Sequence, residues 1–125
     1  MGKQIEVLVL DDEPIVCERL KDYLEKKDIL VETFTESIQA LKRIEEKSFD
    51  VIITDLKMEG PTGIDVLVAV KKIAARAEVI IITGYGSFET IRQAEFVGAF
   101  DYISKPFKLS DIHNLVKKAA KKARK

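Results

Sequence analysis

Four short, largely apolar stretches of this chain each run directly into a chemically reactive polar side chain. Residues 5–10 are followed by Asp11 and Asp12, and residues 49–54 by Asp55. Residues 79–82 are followed by Thr83, and residues 101–104 by Lys105. If these stretches are parallel strands of one sheet, their carboxyl ends meet at a single edge, where open α/β sheets bind ligands. The sequence therefore predicts three carboxylates, a hydroxyl and an ammonium group at that edge.

Helical patterns alternate with the apolar stretches along the whole chain. Strands are predicted at residues 5–10, 30–34, 49–54, 79–83 and 100–104. Apolar residues at helical spacing follow Pro14 and recur in 36–47, 64–73, 89–97 and from 109 to 123, and Gly98 is a helix stop signal. Repeated β-then-α units with short connections predict one domain over residues 1–125, a parallel sheet covered by helices.

Alternation alone leaves the order of the strands open. The flavodoxin-like order 2-1-3-4-5, one of two common doubly wound arrangements, brings the ends of the first, third, fourth and fifth strands side by side. The polar residues named above come directly after those four strands. We therefore predict this α/β fold, a doubly wound five-stranded parallel sheet.

The bulk composition excludes several classes of protein. Basic and acidic residues are equal at 21 each, so no overall charge favours nucleic acid. The Lys- and Arg-rich residues 117–125 fit the solvated face of a last helix. The single cysteine, Cys17, excludes an internal disulfide and is expected to have a packing or surface role. No apolar stretch is long enough to span a membrane, and we expect a cytoplasmic protein.

The predicted acidic edge requires a cation. Two carboxylates about 4 Å apart repel by roughly 4 kcal/mol at an effective dielectric constant near 20. Hard oxygen ligands favour Mg²⁺, or Mn²⁺ in its place, and Mg²⁺ typically binds one or two carboxylates together with a phosphate oxygen. Asp55 is the candidate nucleophile, because an ionised carboxylate can form an acyl phosphate without a general base. Lys105 and Thr83 would neutralise and hold the phosphoryl oxygens.

Each of these residues also has a simpler explanation. Residues 11–13 before Pro14 could cap a helix, Asp55 and Thr83 could be turn residues, and Lys105 could be a solvated surface lysine. Their occurrence in order at successive strand ends favours one common site.

The chain resembles the receiver domains of bacterial two-component response regulators. The motifs that carry the resemblance are residues 11–14 (DDEP), 55–58 (DLKM) with Gly63, Thr83-Gly84, and Tyr102 followed by 105–107 (KPF). The resemblance implies that Asp55 accepts a phosphoryl group from a histidine kinase, a phosphotransfer protein or a small donor such as acetyl phosphate. It implies Mg²⁺ bound by Asp11, largely through a water molecule, by Asp12 and Asp55, and by the backbone carbonyl of Lys57, with Thr83 and Lys105 on the phosphoryl oxygens.

The resemblance also implies a conformational output. Tyr102 would turn inward on phosphorylation and reshape the face of the fourth helix, fifth strand and fifth helix, a possible homodimer surface. Residues 83–87 and 98–102 are similar to receivers of nitrogen-regulator-type, enhancer-dependent transcription activators. One departure is Glu59, where receivers commonly have Pro, so we expect a changed loop path. Lys57 and Tyr85 are expected to tune dephosphorylation.

Three alternative functions remain. An aspartyl-phosphate hydrolase of the haloacid dehalogenase type also uses Asp, Thr, Lys and Mg²⁺, but needs an acid two positions after its nucleophile, where this chain has Lys57. A pseudo-receiver would bind partners without phosphorylation, although all the required side chains are present. A flavin-binding module is disfavoured because acidic residues occupy the first βα turn, where a phosphate would need amides and hydroxyls.

Overall fold

Five parallel strands form one sheet in the computed structural model, which describes residues 3–56, 62–74, 76–84 and 88–125. The strands are β1 (Glu6–Leu10), β2 (Leu30–Phe34), β3 (Val51–Asp55), β4 (Glu78–Thr83) and β5 (Asp101–Ser104). Their order is β2-β1-β3-β4-β5, and every neighbouring pair is parallel. The predicted fold and strand order are therefore confirmed.

Five helices cover the two faces of this sheet. They are α1 (Pro14–Glu25), α2 (Ser37–Glu46), α3 (Gly63–Ile73), α4 (Phe88–Val97) and α5 (Leu109–Ala123). The core under α1 and α5 contains Val7, Val9, Ile53, Ile80 and Ile82 from the strands. The core under α2, α3 and α4 contains the alternate strand residues Leu8, Leu10, Ile52, Val79 and Ile81. Because both faces of β1, β3 and β4 are buried, these strands are largely apolar.

Several element boundaries differ by one or two residues from those predicted. The strand predicted over residues 49–54 begins at Val51 and includes Asp55. Phe49 is buried in the core beneath α2 and α3 rather than paired in the sheet, so its apolar character reflects packing. The end of α4 agrees with the sequence signal, since Gly98 has a φ of 116° and Ala99 N–H donates to the Ala94 carbonyl at 2.9 Å.

The start of α3 carries a capping box that the sequence analysis did not identify. Thr62 is the N-cap, its hydroxyl accepts from Asp65 N–H, and the Asp65 carboxylate accepts from Thr62 N–H. The loop predicted over residues 56–63 lies partly outside the described residues. None of the helices in the described ranges has the length and apolar content that crossing a bilayer requires.

A charged network ties α2 to the first two strands. The Arg43 guanidinium makes a bidentate contact with Glu32, with Nε to Oε1 at 2.7 Å and Nη2 to Oε2 at 3.1 Å. Lys47 Nζ lies 2.8 Å from Glu6 Oε1 and 3.1 Å from Glu32 Oε2. The hydrogen bonds from Arg43 outweigh the opposing effect of burial and, with Lys47, lower the pKa of Glu32 from 4.5 to about 2.

A second charged contact fixes the end of α5 near the amino ends of the strands. Arg124 Nε and Nη2 donate to the two carboxylate oxygens of Asp50 at 3.0 and 2.9 Å. The same guanidinium donates to the carbonyls of Lys3 and Gln4 at 2.9 and 2.8 Å. Asp50 also accepts from Glu6 N–H at 2.9 Å. One arginine therefore joins the last helix to the segments that lead into β1 and β3.

The Glu32 network predicts a specific pH dependence of stability. A carboxyl whose pKa is depressed in the folded state stabilises the fold above its unfolded pKa, and this contribution disappears as the pH falls through the folded value. The affected window for Glu32 is therefore from about pH 4.5 down to about pH 2. We expect Glu32→Gln to lower the free energy of unfolding at pH 7 by about 1 kcal/mol, a value discounted for partial exposure.

Chemical denaturation between pH 7 and pH 2 measures this effect. The difference between the parent chain and Glu32→Gln should shrink across the window. Glu45→Gln, at an exposed position of α2, should track the parent throughout. A difference that stays constant down to pH 2 would contradict the assignment of the network to Glu32 ionisation.

Candidate functional site

The carboxyl edge of the sheet brings together the charged residues predicted from three different strand ends. Asp11 follows β1, Asp55 is the last residue of β3, and Lys105 follows β5. Lys105 Nζ donates to Asp55 Oδ2 at 2.9 Å and lies 3.0 Å from Asp11 Oδ2. Side chains separated by 44 and 50 positions in the sequence therefore meet at one ammonium group.

Asp11 is the most deeply buried acid of the site. Its residue exposure is 0%, and its Oδ1 accepts from Glu13 N–H at 2.8 Å. Burial raises the pKa of Asp11, and the nearby Asp55 charge adds to the rise, while the Glu13 N–H and Lys105 act in the opposite direction. Asp11 Oδ2 accepts no hydrogen bond with good geometry from the described residues, although the Lys105 ammonium is close. The ion pair with Lys105 is thus the main compensation for this buried charge.

Four carboxylates crowd around this point. Each of Asp11, Asp12, Glu13 and Asp55 offers an oxygen, and these oxygens all lie within 4.8 Å of one another. Asp11 and Asp55 are buried, whereas Asp12 and Glu13 are exposed at the mouth. A full set of hard oxygen donors at this spacing suits a divalent cation such as Mg²⁺ and offers little to a soft metal.

Lys105 supplies the only positive charge that the described residues place among these carboxylates. Its side chain is 18% exposed, and Nζ also donates to Glu13 Oε1 at 2.9 Å. Burial alone would lower the pKa of Lys105, but Asp55, Glu13 and Asp11 together raise it above its ordinary value. The ammonium therefore keeps its charge throughout the physiological pH range.

Thr83 ends β4 beside the charged cluster. Asp55 pairs with Ile82, so Thr83 is one residue beyond that pair, and its carbonyl accepts from Lys105 N–H at 2.8 Å. Thr83 is 2% exposed, and its hydroxyl makes no hydrogen bond within the described part of the chain. Leaving a buried hydroxyl without a partner is costly, and such groups often have a functional reason.

Other predicted residues lie away from the cluster or outside the described ranges. Tyr102 lies in β5 and is 42% exposed. Lys57, Glu59 and Tyr85 fall outside the residues that the structure describes. The predictions about metal binding by the Lys57 carbonyl and about dephosphorylation therefore stay predictions.

The packing role expected for Cys17 agrees with the structure. The thiol is buried on α1 beneath the first βα loop, and Sγ–H donates to the carbonyls of Asp11 at 3.4 Å and Phe34 at 3.6 Å. Burial, reinforced by the nearby Asp11 charge, raises the pKa of Cys17 to about 11. Because the reactive form of cysteine is the thiolate, this residue is a poor nucleophile.

Sequence reasoning missed the part that Glu13 plays. The acidic residues before Pro14 were open to interpretation as a helix cap, and Glu13 does occupy the N-cap of α1. Its side chain makes no capping hydrogen bond and instead contacts Lys105 across 92 positions of sequence. Only the adjacency of Glu13 to two site aspartates could have suggested this contact.

Comparison with known proteins assigns the chain to a family. Residues 7–117 match the family model of the response regulator receiver domain, and the chain belongs to that family. It is 37% identical over 118 residues to a putative NtrX-like response regulator from Rickettsia typhi, covering 93% of this chain and 25% of that protein. It is 29% identical over 113 residues to sporulation initiation phosphotransferase F from Bacillus subtilis, covering 90% of this chain and 91% of that protein.

Solved structures of receiver domains agree closely with the fold. A receiver domain from Clostridium thermocellum has a TM-score of 0.90 at 34% identity, over 96% of this chain and 97% of that one. The beryllofluoride-activated NtrC4 receiver domain dimer has a TM-score of 0.89 at 31% identity, over 94% and 98% of the two chains.

A third solved structure holds a phosphorylated aspartic acid. It is a response regulator from Burkholderia pseudomallei with a phosphorylated aspartic acid, a calcium ion and citrate, at a TM-score of 0.86 and 26% identity, over 97% of this chain and 71% of that one.

These similarities define the chain as a response regulator receiver domain of two-component signalling, with relatives of the nitrogen-regulator type. The chain spans about a quarter of the length of the Rickettsia relative.

Gly63 is required by the close approach of α3 to the end of β3. A Cβ atom at this position would lie 2.3 Å from the Asp55 carbonyl oxygen and 2.7 Å from Leu56 Cα. We expect Gly63→Ala to destabilise the fold by about 2 kcal/mol or more, because the main chain of the site would have to move. Gly84→Ala is the matched control and should keep near-parent stability, because among the described residues its Cβ would meet only Lys105 Cδ, at 3.9 Å. Thermal unfolding of the two variants measures this, and equal midpoints would contradict it.

Proposed function

We propose that this receiver domain accepts a phosphoryl group on Asp55. The observation that carries the proposal is the contact between Asp55 Oδ2 and the Lys105 ammonium within a cluster of carboxylates. The family gives the class of signalling protein, and the site geometry supports Asp55 as the acceptor. The donor is a sensor histidine kinase, a phosphotransfer protein or a small compound such as acetyl phosphate.

The transfer itself needs little from the protein beyond position and charge. A carboxylate oxygen of Asp55 attacks phosphorus, the phosphorus–nitrogen bond of a phosphohistidine breaks, and the imidazole leaves and keeps the electron pair. With acetyl phosphate the broken bond is the phosphorus–oxygen bond, and acetate leaves. A carboxylate nucleophile has no proton to lose, so no general base is required. Lys105 neutralises a phosphoryl oxygen, and the buried Thr83 hydroxyl donates a hydrogen bond to another.

The carboxylate cluster fits a divalent cation as the second source of positive charge. Asp11 through a water molecule, Asp12, Asp55 and the backbone carbonyl of Lys57 would hold Mg²⁺, or Mn²⁺ in its place. When bound, the cation neutralises charge on the phosphoryl oxygens. The hard oxygen donors within 4.8 Å of one another support this assignment. The Burkholderia structure, with its phosphorylated aspartic acid and calcium ion, supports it by analogy.

The same residues argue against a hydrolytic enzyme. A phosphatase of the haloacid dehalogenase type needs an acid two residues after the nucleophile, and this chain has Lys57 there. Phosphorylation of Asp55 therefore serves as a signal in a regulatory domain.

The output of the signal is a change at the surface formed by α4, β5 and α5. Phe96 on α4 is 91% exposed and Tyr102 on β5 is 42% exposed, so apolar surface is available there. Phosphorylation moves Thr83 toward the phosphoryl group and Tyr102 inward, which shifts an equilibrium between two conformations. A homodimer is supported by the NtrC4 receiver domain dimer, and we place its interface at this surface. Control of transcription is supported by a transcriptional regulatory protein among the relatives.

Two features bear on where the protein works and on whether it binds nucleic acid. Cys17 is a free, buried thiol, as is usual in reducing compartments, and we place the protein in the cytoplasm. The basic residues of α5 alternate with buried alanines, which suits a solvated helix face, so the domain itself does not bind nucleic acid.

Incubation with acetyl phosphate and Mg²⁺, followed by intact-mass measurement, tests the acceptor. We expect one phosphoryl adduct on the parent chain, none on Asp55→Asn, and none when the metal is removed by a chelator. Asp55→Asn is close to isosteric, so its loss of the adduct reports the lost nucleophile. An adduct that persists on Asp55→Asn would overturn the assignment. Steady turnover of an added phosphomonoester would favour the hydrolase instead.

Tyr102→Ala tests the output surface. We expect acetyl phosphate to phosphorylate this variant within about twofold of the parent rate, because Tyr102 lies outside the carboxylate cluster. We expect its phosphorylation-dependent dimerisation to weaken at least tenfold, measured by sedimentation. Ile38→Ala, which removes an exposed apolar side chain from α2, is the control and should dimerise like the parent. Equal dimerisation of parent and Tyr102→Ala would remove Tyr102 from the mechanism.

A further inference from the structure

We propose that Glu13 restrains Lys105 in the unphosphorylated domain and competes with the phosphoryl group for it. Glu13 is then a positioning residue that slows phosphorylation of Asp55 and shortens the lifetime of the phosphorylated state. The inference rests on the proposed function, since it concerns the same Lys105 and Asp55.

The local structure of α1 shows that Glu13 is not used as a cap. It stands at the N-cap with extended backbone angles, φ −96° and ψ 107°, but its side chain makes no capping hydrogen bond. Its carboxylate instead accepts from Lys105 Nζ at 2.9 Å. The side chain is thus directed to the site although a local role was open to it.

Carboxylates surround the Lys105 ammonium, which donates hydrogen bonds to Asp55 and Glu13 and forms an ion pair with Asp11. An ammonium group has three N–H donors. Lys105 Nζ has three carboxylate neighbours, at 2.9 Å in Asp55, 2.9 Å in Glu13 and 3.0 Å in Asp11. A phosphoryl oxygen on Asp55 must share the ammonium with these carboxylates, so its contact with Lys105 strengthens when one of them is released.

Exposure decides which contact is released. The side chain of Asp11 is 0% exposed and that of Asp55 is 9% exposed, whereas that of Glu13 is 56% exposed. A carboxylate that returns to water recovers its hydration, while a buried one left without its partner pays the full desolvation cost. Glu13 is therefore the partner that gives up Lys105.

The released carboxylate remains at the mouth of the site as a negative charge. While Glu13 contacts Lys105, its carboxylate oxygen lies within 4.8 Å of the other carboxylates, so on release it stays near the place where a dianionic donor must enter. Like charges at this distance repel, and the repulsion is screened by salt because Glu13 is exposed. We therefore expect Glu13 to oppose both the entry and the retention of the phosphoryl group by about two- to fivefold.

Glu13→Gln tests the inference, because it removes the charge and keeps the shape. The rate of phosphorylation by acetyl phosphate is measured at saturating Mg²⁺, and the lifetime is measured after the donor is removed. Both should rise about two- to fivefold, and the difference from the parent should shrink between low salt and 0.5 M salt. Glu36→Gln is the control, since Glu36 is an exposed N-cap residue without a side-chain capping bond. It should behave like the parent.

The outcomes separate this inference from the proposed function. If the parent accepts no phosphoryl group, the proposed function fails. If the parent is phosphorylated but Glu13→Gln has an unchanged or a lower rate and lifetime, only the role of Glu13 is overturned. A thermal unfolding midpoint of Glu13→Gln close to that of the parent verifies that altered kinetics do not arise from a damaged fold. Kinetic differences that are independent of salt would also contradict the competition.

Discussion

One ammonium group makes the carboxyl edge of this sheet possible. Asp11 and Asp55 are both buried and close together, so their charges could not coexist there without a compensating cation. Lys105 Nζ lies 3.0 Å from one carboxylate and 2.9 Å from the other. The ion pairs in turn fix the side chain of Lys105 over the ends of β1 and β3. The acidic cluster and its lysine are therefore a single unit.

The sheet determines why these particular residues meet. β1 and β3 are neighbours, so the residues at their carboxyl ends lie side by side, and β4 and β5 continue the same edge. Both faces of the central strands are packed with aliphatic side chains, which holds the strand ends in place. Gly63 then lets α3 approach the Asp55 main chain closely. The packed core, rather than the loops of the site, therefore fixes the positions of the site residues.

Periodicity predicted the strands and helices, and the polar residues at four strand ends selected the strand order and grouped the charged residues. Apolar stretches alternate with helical stripes, and Asp11, Asp55 and Lys105 each stand where an apolar stretch ends. The contact of Glu13 with Lys105 could not be predicted in this way, since it joins residues 92 positions apart and depends on a rotamer choice. The start of β3 was misplaced because Phe49 is apolar for packing and not for pairing. Patterning indicates which residues are buried but not which neighbours they contact.

The two edges of the sheet divide stability and function between them. At the carboxyl edge, burial raises the pKa of Asp11 and leaves the Thr83 hydroxyl without a partner among the described residues, and both features cost stability. At the amino edge, Arg124 satisfies Asp50 and two backbone carbonyls. These contacts stabilise the amino edge of the sheet, opposite the carboxylate cluster. The fold can tolerate the unpartnered Thr83 hydroxyl at one edge because the opposite edge is firmly joined, and a phosphoryl oxygen on Asp55, as proposed, would give that hydroxyl an acceptor.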